Sequence, residues 1–277
     1  MIITRPSVKE DLIALEKIWW LAFGDSERYI DNFFKNYYRE NRVLVLEEDG
    51  EVLAMTAWFP SSIAGCRIAY LYAVATHPIA QGKGYASQLL QYTFEYLEVD
   101  MRFLGASTVP ATPELFNFFE KLGFFPYFTH QVEDFTDLPT PDKMRGRFTQ
   151  LIPSIYLKMR EDFLKNIRHV EMDLAGITHQ DGICRISGGG LFRYDCEDRI
   201  CILALEKGND HHFTVKEIMG FHKTQAYAIA DLPAFTGGHS FHVRRPLGDT
   251  YFGMLRWFAP NNRWDITETA YLGLAFD

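Results

Sequence analysis

The sequence predicts a mixed α/β protein, in which a twisted sheet of parallel and antiparallel strands is flanked by helices. Three observations support this fold class. Apolar, β-prone residues fill short segments such as 1–5, 42–46 and 52–59, which is typical of strands. Apolar residues recur at helical spacing in segments 8–23 and 26–38. A fourth β-prone segment, residues 69–76, runs through a short loop into an amphipathic helix that begins at Gly84.

The other elements of the N-terminal part continue this alternation. The turn at residues 47–50 separates two strand segments and predicts a hairpin. A strand is expected at 101–107, and Thr112 followed by Pro113 predicts the start of a helix. Gly123 predicts its end, and a strand is expected over 124–132. The predicted order is therefore β-α-α-β-β-β-α-β-α-β.

The loop before the helix at Gly84 has the composition of an anion site. It reads Gln81, Gly82, Lys83, Gly84, Tyr85 and Ala86. Glycines expose backbone N–H groups, and the N-terminus of a helix adds unpaired donors and a positive dipole end. A Walker loop is excluded because G-x-x-x-x-G-K-[ST] is absent, and Ser87 replaces the third glycine of the dinucleotide fingerprint.

The pattern that fits is Gln81, Gly84 and Ala86 after a strand containing Val74 and a loop containing Pro78. It resembles the acetyl-CoA pyrophosphate loop of the GCN5-related N-acetyltransferase (GNAT) superfamily. Residues 118–124, which read F-F-E-K-L-G-F, resemble a second signature of that family. The resemblance covers residues 1–133. It implies the GNAT fold and an N-acetyltransferase that uses acetyl-CoA as co-substrate and needs no metal.

The resemblance also implies roles for the cofactor-binding residues. Backbone groups near Val74 and Thr76 would hold the pantetheine arm, and the N–H group of Val74 would polarise the thioester carbonyl. Donors between Gly82 and Ala86, which include Lys83 and Tyr85, would hold the pyrophosphate, with side-chain contacts from Gln81 and Lys83.

Two positions depart from the family pattern. Thr112 stands where the family has an asparagine on the cofactor side, and Phe119 stands where it has the tyrosine that protonates the departing thiolate. The usual acid is therefore missing, although both residues are still expected beside the cofactor.

The general base is not evident in the sequence. The amine acceptor must be neutral to attack, and a carboxylate often removes its proton. No carboxylate lies in residues 67–76, and strict alternation there would place Tyr70, Tyr72, Val74 and Thr76 on one face. The two tyrosines are therefore candidate catalytic residues.

Carboxylates outside this strand are alternative bases. Asp25, Glu27 and Asp31 lie in the first helices. Asp277 follows an apolar segment, and the arrangement is similar to aminoglycoside acetyltransferases of the enhanced-intracellular-survival type, in which a chain-terminal carboxylate is the base.

The chain is expected to contain two domains. Residues 1–135 would form the acetyl-CoA-binding GNAT domain, residues 136–153 a linker, and residues 154–277 a degenerate, α+β GNAT-like copy. Helices are predicted at 155–167 and 224–231, with strands at 183–194, 199–206 and 212–219. No second glycine loop follows the last of these strands, so we expect no second CoA site.

Composition narrows the function classes further. The net charge of −8 disfavours a nucleic acid partner and suits a cationic acceptor, namely the primary amine of a small molecule or peptide. No apolar run reaches the ~20 residues of a membrane span. The cysteines and histidines lack metal-ligand spacing, so a reduced, cytoplasmic protein without a metal is expected. The oligomeric state stays open, with a homodimer as one option.

Two other functions remain open at this point. Tandem GNAT folds also serve as aminoacyl or fatty-acyl transferases, although the negative charge disfavours a tRNA acceptor. The other is a non-catalytic acyl-CoA sensor, which Phe119 and the missing strand carboxylate would suit.

Overall fold

The computed structural model describes residues 1–259 and 268–276. The described residues form two compact units. Unit 1 comprises residues 1–126 and 253–259, and unit 2 comprises residues 127–252 and 268–276. The predicted mixed α/β class is confirmed, because parallel and antiparallel strand pairs occur in each unit together with helices.

The elements are numbered in chain order. The strands are β1 (Ile2–Pro6), β2 (Val43–Glu48), β3 (Glu51–Ile63), β4 (Cys66–Thr76), β5 (Gly105–Thr108), β6 (Phe125–Phe135), β7 (Arg147–Gln150), β8 (Val170–Met172), β9 (Gly190–Cys196), β10 (Arg199–Lys207), β11 (His212–Gly220) and β12 (Ser240–Trp257). The helices are α1 (Leu12–Phe23), α2 (Glu27–Asn36), α3 (Tyr85–Glu95), α4 (Pro113–Lys121), α5 (Pro153–Leu164), α6 (Leu174–Ser187) and α7 (His222–Thr236).

Unit 1 is built on a mixed sheet. Its first four strands pair antiparallel in chain order. After α3, β5 pairs parallel with β4, and the end of β12 pairs antiparallel with β5. Leu90 and Phe94 of α3 share a core cluster with Leu71 of β4 and Phe119 of α4. The apolar face of α3 is thereby held on the sheet, which fixes the position of the loop before it.

Unit 2 follows a similar plan. Strands β9, β10 and β11 pair antiparallel, and after α7 the strand β12 returns parallel to β11. This is the order and sense of β2, β3, β4, α3 and β5 in unit 1. The connections before the helices differ. Residues 77–84 separate β4 from α3, whereas Phe221 alone separates β11 from α7. Unit 2 therefore has no room for a glycine loop at this place.

A buried ion pair lies at the centre of unit 2. The side chains of Arg160 in α5 and Glu217 in β11 are both fully buried, with Nε and Oε1 3.1 Å apart. The hydroxyl groups of Tyr156 and Tyr271 donate to the Glu217 carboxylate at 2.9 and 3.1 Å. Arg160 also donates to the carbonyls of Val170 and Leu272 at 3.1 and 3.3 Å. These bonds compensate the two charges for the loss of water.

The same network orders residues 270–276. Tyr271 forms a bridge with His169, and Ala270 forms one with Phe128. Gly273 has a φ of +77°, and a Cβ there would lie 2.6 Å from Glu217 Oε2 and 2.9 Å from Arg160 Nη2. Only glycine therefore lets the backbone pass this close to the ion pair. The description of the segment ends at Phe276, and Asp277, a candidate base, lies outside the described residues.

Two predictions for the C-terminal half are wrong. The strand predicted to begin at Ile183 is the end of helix α6, and the strand itself starts at Gly190. The segment predicted as a linker contains β7, which pairs antiparallel with β9. The other predicted helices and strands of this half are present, and α7 is longer than expected.

The stability of unit 2 should fall at acidic pH because of His179. This residue is almost completely buried in α6, 5.0 Å from the ring of Phe276, and burial lowers its pKa to about 3. Its imidazole binds a proton near pH 6.5 when unfolded but only near pH 3 when folded, so the unfolded state takes up more protons between these values. In urea titrations, the free energy of unfolding should fall by up to about 1.4 kcal/mol for each unit by which the pH is lowered within this window. His179→Leu should flatten that slope, and an unchanged slope would contradict the assignment.

Candidate active site

Strand β4 carries a bulge in the middle of the predicted cofactor strand. In its register with β3, Ala75 faces Met55 and Tyr72 faces Ala57, so Ala73 and Val74 together oppose a single residue. Ala73 has a φ of 51°, which is uncommon for a residue with a side chain. The pairing of β4 with β5 ends at Tyr70 and Ser107. The backbone of Ala73 and Val74 therefore lies outside both strand registers.

The bulge corrects the predicted alternation of side chains. Tyr72 packs against Trp19 of α1 and Phe33 of α2, with ring centroids 5.4 and 6.0 Å away. Val74 instead packs against the cluster that contains Leu71 and Phe119. Tyr72 and Val74 therefore face opposite sides of the sheet, because the extra residue of a bulge reverses the alternation.

The loop after β4 has the geometry expected of an anion site. Gly82 and Gly84 adopt left-handed conformations with φ of +78° and +81°, and nothing lies within 4 Å of a Cβ built on either. Gly84 occupies the N-cap position of α3, and no side chain caps the helix there. The first N–H groups of α3 therefore have no capping side chain, and the helix dipole favours a negative charge beside them.

Side chains around the loop supply one cation and one competing carboxylate. Lys83 Nζ lies 3.5 Å from Glu48 Oε2 and 5.5 Å from the ring centre of Tyr85. Tyr85 is buried against Leu44, Leu46 and Ala80, so it anchors the first turn of α3. The exposed ammonium group of Lys83 has a flexible stem and can turn from Glu48 towards a phosphate.

The two positions that depart from the family pattern are both in or beside α4. Thr112 is exposed at the N-cap position of this helix, with no side-chain bond to the backbone. Phe119 is buried, with ring centroids 5.2 Å from Phe118 and 5.4 Å from Phe124. Phe119 is therefore a core residue of unit 1, in the cluster against which Val74 packs.

Two tyrosine hydroxyls form a pair that the sequence did not reveal. The hydroxyl of Tyr72 lies 2.9 Å from that of Tyr29 in α2. Burial, reinforced by Tyr29, raises the pKa of Tyr72 well above its ordinary value. Tyr72 is therefore protonated at neutral pH and can donate a proton or a hydrogen bond. Tyr70 is buried two residues earlier in the strand, 6.5 Å from Phe59.

The carboxylates of the first helices differ in their surroundings. Asp25 is half-buried and accepts a hydrogen bond of 2.8 Å from the indole N–H of Trp19, the residue that also packs on Tyr72. Asp31 forms a surface pair with Lys35, and Glu27 is exposed. Among these three carboxylates, Asp25 is the one whose charge contributes to the raised pKa of Tyr72.

Several other features bear on function. A cavity of about 440 Å³ in unit 2 is lined by Lys143, Met144, Arg145, Cys196, Glu197 and Tyr227, none of which was a predicted site residue.

Within the described ranges, no cluster of three or more potential metal ligands occurs. Across the same ranges, no helix combines the length and the apolar character needed to cross a bilayer. All four cysteines are free thiols.

Unit 1 is an α/β domain in which a bulged strand is followed by a glycine loop and the N-terminus of a helix. Residues 4–125 match the family model described as "Acetyltransferase (GNAT) domain". This match confirms the family resemblance that the sequence predicted for this part of the chain. No curated protein matches the chain.

Solved structures extend the likeness of fold over nearly the whole chain. A GCN5-related N-acetyltransferase from Anabaena variabilis aligns with a TM-score of 0.70 and 15% identity, covering 94% of this chain and 73% of its own. One from Sphaerobacter thermophilus aligns with a TM-score of 0.55 and 13% identity, covering 97% and 98%. Eis1 from Mycobacterium abscessus gives 0.64 and 9%, covering 93% and 74%. At these identities the likeness shows the fold alone.

Proposed function

We propose that the chain is an acetyl-CoA-dependent N-acetyltransferase that acylates the primary amine of a small molecule or peptide by direct attack. The observation that carries this proposal is the open pair of left-handed glycines, Gly82 and Gly84, at the uncapped N-terminus of α3. The match of residues 4–125 to the family model of the GNAT acetyltransferase domain supports it.

The cofactor would bind along β4 and the loop. The N–H groups from Gly82 to Ala86 would hold the pyrophosphate, and Gln81 and Lys83 would add side-chain contacts. Thr76 and the bulge would carry the pantetheine arm, because the pairing of β4 with β5 ends at Tyr70 and the bulge interrupts the pairing with β3. The N–H of Val74 would stabilise the oxyanion of the thioester.

The reaction needs a proton donor and a proton acceptor. The amine nitrogen attacks the thioester carbonyl carbon, the C–S bond breaks, and the sulfur leaves as a thiolate that takes a proton. Phe119 has no hydroxyl, so we assign the donor role to Tyr72, which lies two residues before Val74 and whose hydroxyl is paired with that of Tyr29. Asp25, held by Trp19, is the assigned acceptor for the proton of the amine.

Replacing Tyr72 with Phe should lower kcat by about a hundredfold, the usual size of a lost general acid. Acetyl-CoA affinity should change by less than about threefold, because the loop is untouched. Tyr92→Phe, a half-buried tyrosine on α3, is the matched control and should keep full activity. Steady-state kinetics with separately measured cofactor affinity tests this, and an unchanged kcat would make Tyr72 a packing residue. Tyr70→Phe tests the second strand tyrosine in the same way.

Asp277 remains the alternative base. Phe276 is buried beside His179, so a deletion that removes it would disturb unit 2. The clean comparison is therefore Asp277→Asn against Asp25→Asn. A loss of kcat in the first variant alone would move the base from Asp25 to Asp277.

We also propose that unit 2 is a degenerate copy of unit 1. Its strands and helix follow the order of unit 1, but the loop before α7 is missing. It would therefore bind no CoA. The free thiols of the chain support a reducing, cytoplasmic setting.

The proposed activity is tested by following release of the CoA thiol from acetyl-CoA with a panel of amines. We expect at least one amine to accelerate release and to appear as its N-acetyl product. Tight binding of acetyl-CoA without turnover by any amine would instead support the sensor alternative, which the phenyl ring of Phe119 favours. Transfer to aminoacyl or fatty-acyl acceptors in place of amines would support the remaining alternative.

A further inference from the structure

Helix α1 has an apolar face that unit 1 does not cover. Its core face consists of the buried residues Leu15, Ile18 and Trp19. On the other side, the exposed fractions are 83% for Ile13, 58% for Trp20 and 46% for Phe23. A helix on a protein surface normally presents polar residues to water, so this face is unusual. Ile13 and Trp20 are seven residues apart and lie on one line along the helix.

The charges on this face are arranged symmetrically about its centre. Glu16 and Lys17 lie midway between Ile13 and Trp20, and Lys17 is exposed. If a second α1 lies antiparallel on this face, with the two-fold axis between positions 16 and 17, each residue meets its mirror position. Ile13 then faces the partner's Trp20, and Glu16 faces the partner's Lys17. At these positions an apolar residue meets an apolar residue and each charge meets the opposite charge, as a two-fold contact requires.

We propose that this face of α1 is the contact surface of a homodimer formed by two copies of the chain. A surface that binds anionic lipids would carry basic residues and no acidic residue such as Glu16. Pairing of two copies of the same helix instead requires one charge of each sign. The helix of 12 residues is about 18 Å long, so the contact is smaller than a standard interface. The dimer should therefore be weak, with a Kd on the order of micromolar. This inference does not depend on acetyl transfer.

Sedimentation equilibrium on charge-exchanged variants tests the pairing. The dimer contains two symmetric contacts between position 16 of one copy and position 17 of the other. Glu16→Lys makes both contacts lysine against lysine, and Lys17→Glu makes both glutamate against glutamate. Each single variant should raise the Kd at least about tenfold, because like charges at an interface are unfavourable. The double variant Glu16→Lys with Lys17→Glu restores opposite pairs and should recover the original Kd within about threefold.

Two further variants test whether the contact lies on this face of α1. Trp20→Glu should abolish dimerisation, whereas Val99→Glu should not, although Val99 is 71% exposed in the same unit. Lys35 of α2 lies near Glu16, and its repulsion by Glu16→Lys is the same in the single and double variants. Recovery in the double variant therefore reports the contact between chains.

The proposal is overturned if the wild-type chain is still a monomer at about 100 μM, which is about 100-fold above the expected Kd. It is also overturned if both single variants dimerise as well as the wild type. Binding of the monomer to anionic vesicles in place of self-association would assign the face to a membrane surface and would equally overturn it.

Discussion

Replacing Gly84 with Asp should weaken acetyl-CoA binding at least about a hundredfold, which corresponds to about 2.7 kcal/mol. The new carboxylate would stand at the N-cap position of α3, where it would accept hydrogen bonds from the N–H groups that the pyrophosphate needs. Its charge would also repel the phosphates. Nothing lies within 4 Å of a Cβ at this position, so the side chain fits and the loss comes from competition.

The matched control is Gly65→Asp in the turn between β3 and β4. Gly65 has a φ of +77°, close to the +81° of Gly84, and it also has open space around a Cβ. The backbone strain of the two variants is therefore similar. Calorimetry should find the acetyl-CoA affinity of Gly65→Asp within about threefold of wild type. Equal affinities for the two variants would remove the basis of the cofactor site.

Glu217→Gln should destabilise unit 2 by about 3–5 kcal/mol. The change removes the fully buried counter-charge of Arg160 and leaves its guanidinium paired with the partly exposed Glu161 at 3.1 Å. It also weakens the bonds through which Tyr156 and Tyr271 hold α5 and residues 270–276 on β11. Replacing the other member of the pair, with Arg160→Met, should destabilise unit 2 by a similar amount, because it leaves the buried Glu217 carboxylate without the arginine.

Urea unfolding followed by circular dichroism at neutral pH measures this effect. Asp31→Asn removes the surface pair with Lys35 and should cost less than about 1 kcal/mol. The double variant Arg160→Met with Glu217→Leu should recover part of the loss, since an apolar pair avoids the desolvation of two charges. A loss below about 1 kcal/mol for Glu217→Gln would show that the ion pair does not hold the unit together.

Local chemistry explains which parts of unit 1 were predictable. Glycines, the apolar periodicity of α3 and the Thr112-Pro113 start of α4 act within a few residues, and the predicted loop is where the sequence places it. The bulge at Ala73 has no such signal, because its residues are ordinary strand formers and the extra residue is fixed by pairing with β3. The Tyr29–Tyr72 pair joins residues 43 positions apart, which spacing alone does not reveal.

Helix α6 shows why unit 2 was harder to predict. It contains Gly176 and Gly182, which disfavour helices, and its buried residues include the polar His179, Gln180 and Asp181, so the sequence shows no clear apolar face. Its ends did carry signals. Asp173 caps the first turn by accepting a 2.8 Å bond from the N–H of Gly176, and Gly188 ends the helix with a φ of +96°. The buried ion pair of this unit depends on packing and could not be predicted from sequence.

Hydrogen exchange of the whole chain with and without acetyl-CoA tests the central claim most directly. The account predicts slower exchange at the amides of residues 73–76 and 82–87, where the bulge and the loop would bind the cofactor. It predicts no change over residues 217–225, the corresponding place in unit 2. Protection of residues 217–225, or saturating acetyl-CoA with no protection at residues 82–87, would contradict it.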